Sequence, residues 1–349
     1  ASDHLQVATY YQAGVAGTRV GGDWYDAIDL GAGRTALMIG DVSGRGIAAA
    51  RIMGQLRAAT RAYARLDLPP ADMIEMLDAM VRELAADQLV TCIYGIYDPA
   101  THEFRYANAG HLPPLAVAPG EPARRLAIAT DPPLGVGLRH AEEHQVSFPA
   151  GTLIALYTDG LVERRGRSLD DGIDLLAETL SSDARHAAQL PDALIRKLAP
   201  DGTEDDVAIL VARTDDSVSQ RTAVLEVPRS SQGLQAGRRF TTEMLERWSL
   251  PPRTAQDATL ITSELLTNAI MHGSDPVRLR LRVTREELAI EVYDGASALP
   301  RKLKTTADDL HGRGLAIIAE LSERWAARPE GHGKVVWCAL PIAPVPDAP

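Results

Sequence analysis

The stretch Ala36-Leu37-Met38-Ile39-Gly40-Asp41-Val42-Ser43-Gly44-Arg45-Gly46 is an apolar run of strand formers ending in a lone carboxylate, followed by a glycine-rich turn and a helical pattern. A carboxylate at the mouth of a strand, beside glycines that let backbone carbonyls come close, offers oxygen ligands to a hard cation. One such pattern carries little weight, because Asp before a turn is common for turn-forming reasons alone. The chain repeats it. Thr152-Leu153-Ile154-Ala155-Leu156-Tyr157-Thr158-Asp159-Gly160 is again an apolar strand, a terminal Asp and a glycine. Thr203-Glu204-Asp205-Asp206-Val207-Ala208-Ile209-Leu210-Val211 reverses the order, with paired carboxylates at the start of a strand. Upstream, Gly21-Gly22 precede Asp23, and Trp24 and Tyr25 after it can wall a pocket or fill a core.

Asp23, Asp41, Asp159, Asp205 and Asp206 therefore all fall at strand ends beside glycine or turn residues. Carboxylates gathered without cations repel strongly at low dielectric. A pair of Mg²⁺ or Mn²⁺ ions removes that repulsion and can activate a water for in-line phosphoryl displacement. No Ser or Cys nucleophile is then needed, and Cys92 lies in mid-strand.

With 349 residues the chain has room for two domains, each with its own core. Its 45% apolar and 24% charged residues are those of a soluble globular protein. No run approaches the roughly 20 apolar residues a membrane span needs. The start, Ala1-Ser2-Asp3-His4, is polar and unlike a signal peptide, and the missing initial Met leads us to expect a fragment with a further domain upstream. A net charge of −11 argues against nucleic acid or an anionic membrane as partner and suits a holder of divalent cations. Cys92 and Cys338 lie far apart in apolar runs, which suggests neither a zinc site nor a disulfide framework; the expectation is a reduced, cytoplasmic protein.

Strands are expected at 5–12 and 23–30 and in the run ending at Asp41. Two amphipathic helices follow, striped by Ile52, Leu56, Ala59, Tyr63 and by Met73, Leu77, Met80, Leu84, with Pro69-Pro70 between them. A hairpin of 89–97 and 102–109 turns at Asp98-Pro99-Ala100-Thr101 and leads into the turn-rich loop Asn108–Pro114. Short strands at 114–118, 124–129 and 142–148 precede the Asp159 strand, and helices at 168–180 and 190–199 follow it. Around 214–220 the pattern turns polar, which divides the chain into a first domain (1–215), a linker (216–220), a second domain (221–343) and a disordered tail (344–349).

The second domain reads as a strand at 221–227, helices at 231–248 and 252–272, strands at 277–283 and 287–293, a mobile-looking stretch at 296–311 with Arg301, Lys302 and Lys304, a further helix, and strands at 323–328 and 334–340. The second helix buries Ala258, Ile261, Leu265 and Ala269 and ends at Gly273. Beside that stripe Glu264 and Asn268 are four apart and share a face, continued by His272. A carboxylate above an amide suits phosphoryl transfer, one as base and the other as Mg²⁺ ligand, although alone it is the look of a solvated helix face. Tyr293-Asp294-Gly295 and Gly312-Arg313-Gly314-Leu315 follow; glycines at a helix start offer N–H groups to phosphate.

Gly21-Gly22-Asp23-Trp24-Tyr25-Asp26, Asp41-Val42-Ser43-Gly44-Arg45-Gly46, Ala107-Asn108-Ala109-Gly110-His111, Tyr157-Thr158-Asp159-Gly160 and Asp205-Asp206-Val207-Ala208 resemble, in order, the motif set of SpoIIE-type bacterial phosphatases. These belong to the metal-dependent serine/threonine protein phosphatases. The resemblance covers about 5–213 and implies an αββα sandwich with two metals at one end of the sheets. It implies that Asp41 bridges both ions with the Val42 carbonyl as a further ligand, that Asp159 and Asp205 hold one ion, and that Asp23 binds directly or through water. Asp206 is a further candidate ligand, at a place where relatives often carry Asn, and Arg19 is a candidate for the substrate phosphate. The two helices after Asp41 would be a regulatory switch.

Glu264–Gly273, Asp294-Gly295 and Gly312-Arg313-Gly314-Leu315 resemble the GHKL ATP-binding fold, above all the anti-sigma-factor serine kinases, over about 221–342. This implies a two-layer α/β sandwich of Bergerat type, with Asp294 reading adenine, Asn268 holding Mg²⁺, Glu264 as base, and Gly312, Arg313 and Gly314 at the phosphates. Ala296 and Ala298 stand where the family commonly has glycines, which weakens the expected ATP binding. Together the resemblances imply an enzyme that dephosphorylates a STAS-type anti-anti-sigma protein at serine or threonine and carries a kinase module controlling a sigma factor. A homodimer is among the assemblies they allow. The alternative keeps the phosphatase and makes the second domain a non-catalytic binder of a sigma factor or regulator; a scaffold with both domains inactive is a third reading.

Overall fold

The computed structural model describes residues 4–14, 21–44, 46–84, 88–126, 131–138, 140–182, 187–200, 202–215, 221–284, 286–298 and 314–342. The chain forms two compact units, one of residues 1–30 and 34–217, the other of residues 31–33 and 218–349.

In chain order the first unit contains β1 (Leu5–Gln12), β2 (Trp24–Gly31), β3 (Arg34–Val42), α1 (Ile47–Ala64), α2 (Pro70–Leu84), β4 (Val90–Asp98), β5 (Glu103–Ala109), β6 (Leu115–Val117), β7 (Arg124–Arg125), β8 (Glu143–Ser147), β9 (Leu153–Tyr157), α3 (Asp159–Val162), α4 (Leu169–Ser182), α5 (Leu190–Leu198) and β10 (Val207–Thr214). The strands make two five-stranded sheets, ordered β2-β3-β4-β5-β8 and β1-β10-β9-β6-β7. Three apolar layers join them to the helices. Leu37, Ile39, Ile93 and Tyr106 meet Ile154, Leu156, Ala208 and Leu210 between the sheets. Ala36, Met38 and Cys92 pack outward on Ile52, Leu56, Met73 and Leu77. On the other side Ala155, Ile209 and Val211 pack on Leu176, Leu180 and Leu194. Strands covered on both faces lose the apolar/polar alternation, which is why 36–39 reads as a continuous apolar run. The result is an αββα sandwich.

Several local expectations change. Trp24 fills the core rather than a pocket wall: a Cβ on Gly40 would come within 2.3 Å of its ring. The strand expected at 124–129 is described only over Arg124–Arg125, and 127–130 lie outside the described residues. Asp159 opens a one-turn helix, α3, which a four-residue segment is too short to announce by periodicity.

The second unit contains β11 (Thr222–Glu226), α6 (Ser231–Arg247), α7 (Pro252–His272), β12 (Arg278–Val283), β13 (Glu287–Asp294), α8 (Gly314–Leu321), β14 (Arg324–Glu330) and β15 (Gly333–Pro341). Its sheet runs β11-β12-β13-β15-β14 and is antiparallel throughout. Ala258, Ile261, Leu265 and Ala269 of α7 pack on Leu279, Leu281, Ile290 and Val292, so the helices form one layer over one face. Ser230 caps α6, its hydroxyl accepting from the Gly233 N–H at 3.2 Å. In α8 the buried residues are Gly314 and Ile318, while Ala316 is exposed. Gly273 ends α7 in an extended conformation at φ −88°, not the left-handed one. Glycine is required there by space: a Cβ would stand 2.5 Å from the Ala269 carbonyl and 2.6 Å from Cγ of Asp294. Arg301, Lys302, Lys304, Gly312, Arg313 and the tail at 344–349 lie outside the described residues, as does Arg19. Among the described residues no helix is long and apolar enough to cross a membrane.

Candidate metal centre and nucleotide site

Both sheets of the first unit deliver carboxylates to one end. Asp23 precedes β2, Asp41 is next to last in β3, Asp159 follows β9, and Asp205 and Asp206 precede β10. Asp23 is buried, and its Oδ2 accepts a 2.6 Å hydrogen bond from the Thr158 hydroxyl. Thr158 Oγ1 in turn accepts from the Ala208 N–H at 2.8 Å, tying the Asp23 loop to β9 and β10. Gly22 passes directly over Val42: a Cβ there would fall 2.2 Å from the Val42 carbonyl oxygen and 3.3 Å from Asp41 Oδ1. Only glycine leaves that carbonyl and carboxylate side by side. Asp206 is used differently, its Oδ1 accepting from the Gly14 N–H at 2.9 Å and its Oδ2 from the Gly22 N–H at 3.0 Å. It braces the two loops that frame the other carboxylates.

Burial, then the Asp41 charge, then hydrogen bonding within the pair and Asp159 hold the Asp23 carboxyl well above its ordinary range, against the lowering bond from Thr158. Asp41 is raised by burial and by the Asp205 and Asp206 charges, although its hydrogen bond with Asp23 pulls the other way. Asp159 is pushed up to about 6 by burial and by Asp41, Asp205 and Glu163. Asp23 and Asp41 are thus both held above their ordinary range by burial and by neighbouring negative charge, which a cation would relieve. Among the described residues no three or more His, Cys, Asp or Glu close into a ready ion cage. The donors are all hard oxygens, crowded and short of positive charge, and this chemistry fits Mg²⁺ or Mn²⁺ rather than a softer metal.

Two features outside the acidic cluster support its geometry. The buried His111 ring bridges the sheets: its Nδ1 accepts from the Thr91 hydroxyl at 2.8 Å, and its Nε2–H donates to the Tyr157 carbonyl at 3.1 Å. Thr91 lies opposite Asp41 in β4, and Tyr157 is two residues before Asp159. The Asn108 side chain holds this loop through bonds of 2.9 and 2.8 Å to the His111 carbonyl and N–H. Burial pushes the imidazole down to about 4, so it is neutral. Asp26 pairs with Arg61 of α1 at 2.5 and 2.9 Å, tying β2 to the helix that follows the Asp41 turn. Spacing alone marked Asn108–His111 only as a loop. A cleft of about 980 Å³ opens from Asp159 and Asp205 and is lined by Arg164, Arg165, Arg167 and Lys197 as well as Glu163 and Glu204.

In the second unit Glu264 and Asn268 are half-buried on α7 and face the start of α8. A Cβ on Gly314 would stand 2.8 Å from Glu264 Oε2 and 3.5 Å from Asn268 Nδ2. Asp294 is buried at the end of β13, below Gly273. Its Oδ1 accepts from the Ala296 N–H at 2.9 Å and from the ammonium of Lys334, also at 2.9 Å. Lys334 was not a candidate from the sequence, because only the register of β13 on β15 sets it opposite Asp294.

The layer order and acidic strand ends define the class: an αββα sandwich of the metal-dependent phosphatase type, joined to an ATPase-like α/β sandwich. The Stage II sporulation protein E (SpoIIE) family model matches residues 31–215, and the Histidine kinase-like ATPase domain model matches residues 227–340. The chain belongs to the SpoIIE family. It is 29% identical over 168 residues to phosphoserine phosphatase RsbP of Bacillus subtilis, a match covering 46% of this chain and 41% of that protein. To phosphoserine phosphatase RsbU of the same organism it is 26% identical over 184 residues, covering 51% of this chain and 55% of RsbU. About half the length of these relatives, or less, is therefore matched. The crystal structure of the RsbU and RsbW domains of Rv1364c from Mycobacterium tuberculosis superposes with a TM-score of 0.59 at 25% identity, covering 97% of this chain and 92% of that one.

Proposed function

We propose that the first unit hydrolyses phosphoserine or phosphothreonine on a protein, using two Mg²⁺ or Mn²⁺ ions. The observation carrying this reading is the convergence of Asp23, Asp41, Asp159, Asp205 and Asp206 at one end of the two sheets, where burial and neighbouring charges hold the Asp23 and Asp41 carboxyls above their ordinary range. Asp41, the Val42 carbonyl, Asp159 and Asp205 would hold the ions, with Asp23 ligating directly or through water. When bound, the ions would supply Lewis acidity and an activated water. The chain's own part is positioning. Thr158 fixes one oxygen of Asp23, Asp206 braces the Gly14 and Gly22 loops, and His111 holds the two sheets together beside Asp41 and Asp159. The cationic side chains of the adjoining cleft suit a phosphorylated protein segment.

Similarity to RsbP and RsbU supports a STAS-type anti-anti-sigma protein as substrate and a sigma factor downstream, with the second unit as an ATP-dependent serine kinase or anti-sigma module. There Glu264 would be the base, Asn268 would hold Mg²⁺, Asp294 would read adenine, and Gly312, Arg313 and Gly314 would lie at the phosphates. A second reading keeps the hydrolase and makes this unit a non-catalytic binder; the ion pair on Asp294 favours it.

The test is Mn²⁺-dependent phosphate release from a phosphoserine protein by the intact chain. Asp41→Ala should abolish it while the melting curve still shows a folded protein. Undiminished release by that variant would overturn the assignment.

A further inference from the structure

The helix-facing rows of β13 and β15 pair Leu288 with Leu340, Ile290 with Cys338 and Val292 with Val336. All three pairs are apolar and buried. The next pair on the same face is Asp294 with Lys334, and it is also buried, its side chains 3% and 9% exposed. A charged pair at the end of an apolar row, directly under the close of α7, is a built feature.

We propose that Lys334 is an internal lock on the base site of the second unit, pairing with and neutralising the carboxylate that an adenine amino group would need. This rests on reading that unit as a nucleotide-binding domain with Asp294 as its base reader. Oδ1 of Asp294 already accepts from Lys334 Nζ and from the Ala296 N–H, which fills its two lone pairs. The ammonium is further held by the Ala296 carbonyl at 3.2 Å. An adenine amino group carries no charge, so on this carboxylate it lacks the ion-pair attraction of the ammonium and meets an anion that Lys334 already neutralises. Displacement would also leave a buried ammonium unpaired. Nor can the carboxylate turn away freely, because Gly273 sits so close that even a Cβ would be 2.6 Å from its Cγ. Lys334 therefore sets the nucleotide affinity of this unit low, independently of the alanines at 296 and 298.

The experiment is calorimetric titration of Mg²⁺-ATP into the intact chain, the Lys334→Thr and Lys334→Met variants, and Lys334→Thr combined with Asn268→Ala. Melting curves establish that each is folded, and Lys334→Met keeps the volume of the stem where Lys334→Thr opens it. ATP should bind the two single variants about tenfold or more tighter than the parent chain. The gain should disappear with Asn268→Ala. Equal or tighter binding by the parent chain overturns the lock and leaves the nucleotide reading standing. Absence of binding to any folded form overturns the nucleotide reading, and the lock with it.

Discussion

Replacing Asp159 by Asn should stabilise the metal-free protein while disabling it. In the folded chain the Asp159 carboxyl is raised from 3.8 to about 6 by burial and by the charges of Asp41, Asp205 and Glu163. Below pH 4 both folded and unfolded chains hold the proton, and Asp159 costs nothing. Between roughly pH 4 and 6 the folded chain keeps a proton that the unfolded chain has released, so stability falls as pH rises. Above pH 6 the penalty is complete, at roughly 3 kcal/mol. Residual solvent access at Asp159 reduces this, and a gain of about 2 kcal/mol is expected for the neutral isostere near neutral pH. For a unit of this size that is about 4–8 °C in melting temperature. The assay is thermal and urea unfolding in chelator at about pH 7.5, 5 and 4. The advantage of Asp159→Asn should halve near pH 5 and vanish below pH 4. Added Mn²⁺ should then raise the parent chain above the variant, because only the parent keeps the full anionic ligand set. A variant no more stable than the parent in chelator at about pH 7.5 would refute the claim that these carboxylates are held together against their own repulsion.

Other expectations follow from particular contacts. Gly22→Ala places a Cβ 2.2 Å from the Val42 carbonyl, and the resulting shift of about 1 Å should cost roughly a hundredfold in turnover and weaken Mn²⁺ activation, read from the metal dependence of p-nitrophenyl phosphate hydrolysis. His111 is held neutral by burial, with its value lowered from 6.5 to about 4, so it supports the fold above pH 6.5 and loses that support as pH falls toward 4. Up to about 3 kcal/mol is involved, and His111→Gln should flatten the acid limb of a urea-denaturation series. Leu266 fits where Gly237 has no side chain, since a Cβ on Gly237 would lie 2.2 Å from Leu266 Cδ1. Leu266→Ala should cost about 2–5 kcal/mol, Gly237→Ala should also destabilise, and the double variant should lose less than the two combined, as a double-mutant cycle in urea would measure.

What was legible in the sequence was whatever repeats along the chain or keeps a period. The run from Ala36 to Asp41, its echo ending at Asp159 and the stripes of Ile52, Leu56 and Met73, Leu77 all read directly, because strand and helix periods govern which side chains are buried. Relations between distant segments did not. His111 belongs to a quoted motif, but its bridging role shows only when Thr91 and the Tyr157 carbonyl close on its two nitrogens. Thr158 looked like the residue before a ligand, yet its hydroxyl orients Asp23 from 135 positions away. Lys334 could be placed only by knowing which residue of β15 faces Asp294. Gly273 ends α7 as its place in the sequence suggested, but the reason, room for the Asp294 carboxylate, could be read only from the structure.

The pairing of β1 with β10 has a mechanical consequence. Leu5 faces Thr214 and Gln12 faces Val207, so the first strand of the unit and the last lie antiparallel at a sheet edge, with their outer ends together. Tension applied across those ends does not shear the sheet; it peels one rung at a time, which is the weak direction of a β-ladder. The peeling would begin at Leu5 and Thr214 and reach the Gln12–Val207 rung last, next to Asp206 and the Gly14 loop it braces. A pull on the ends of this unit would thus loosen the edge far from the carboxylates first and disturb their loops only when the zipper is nearly open.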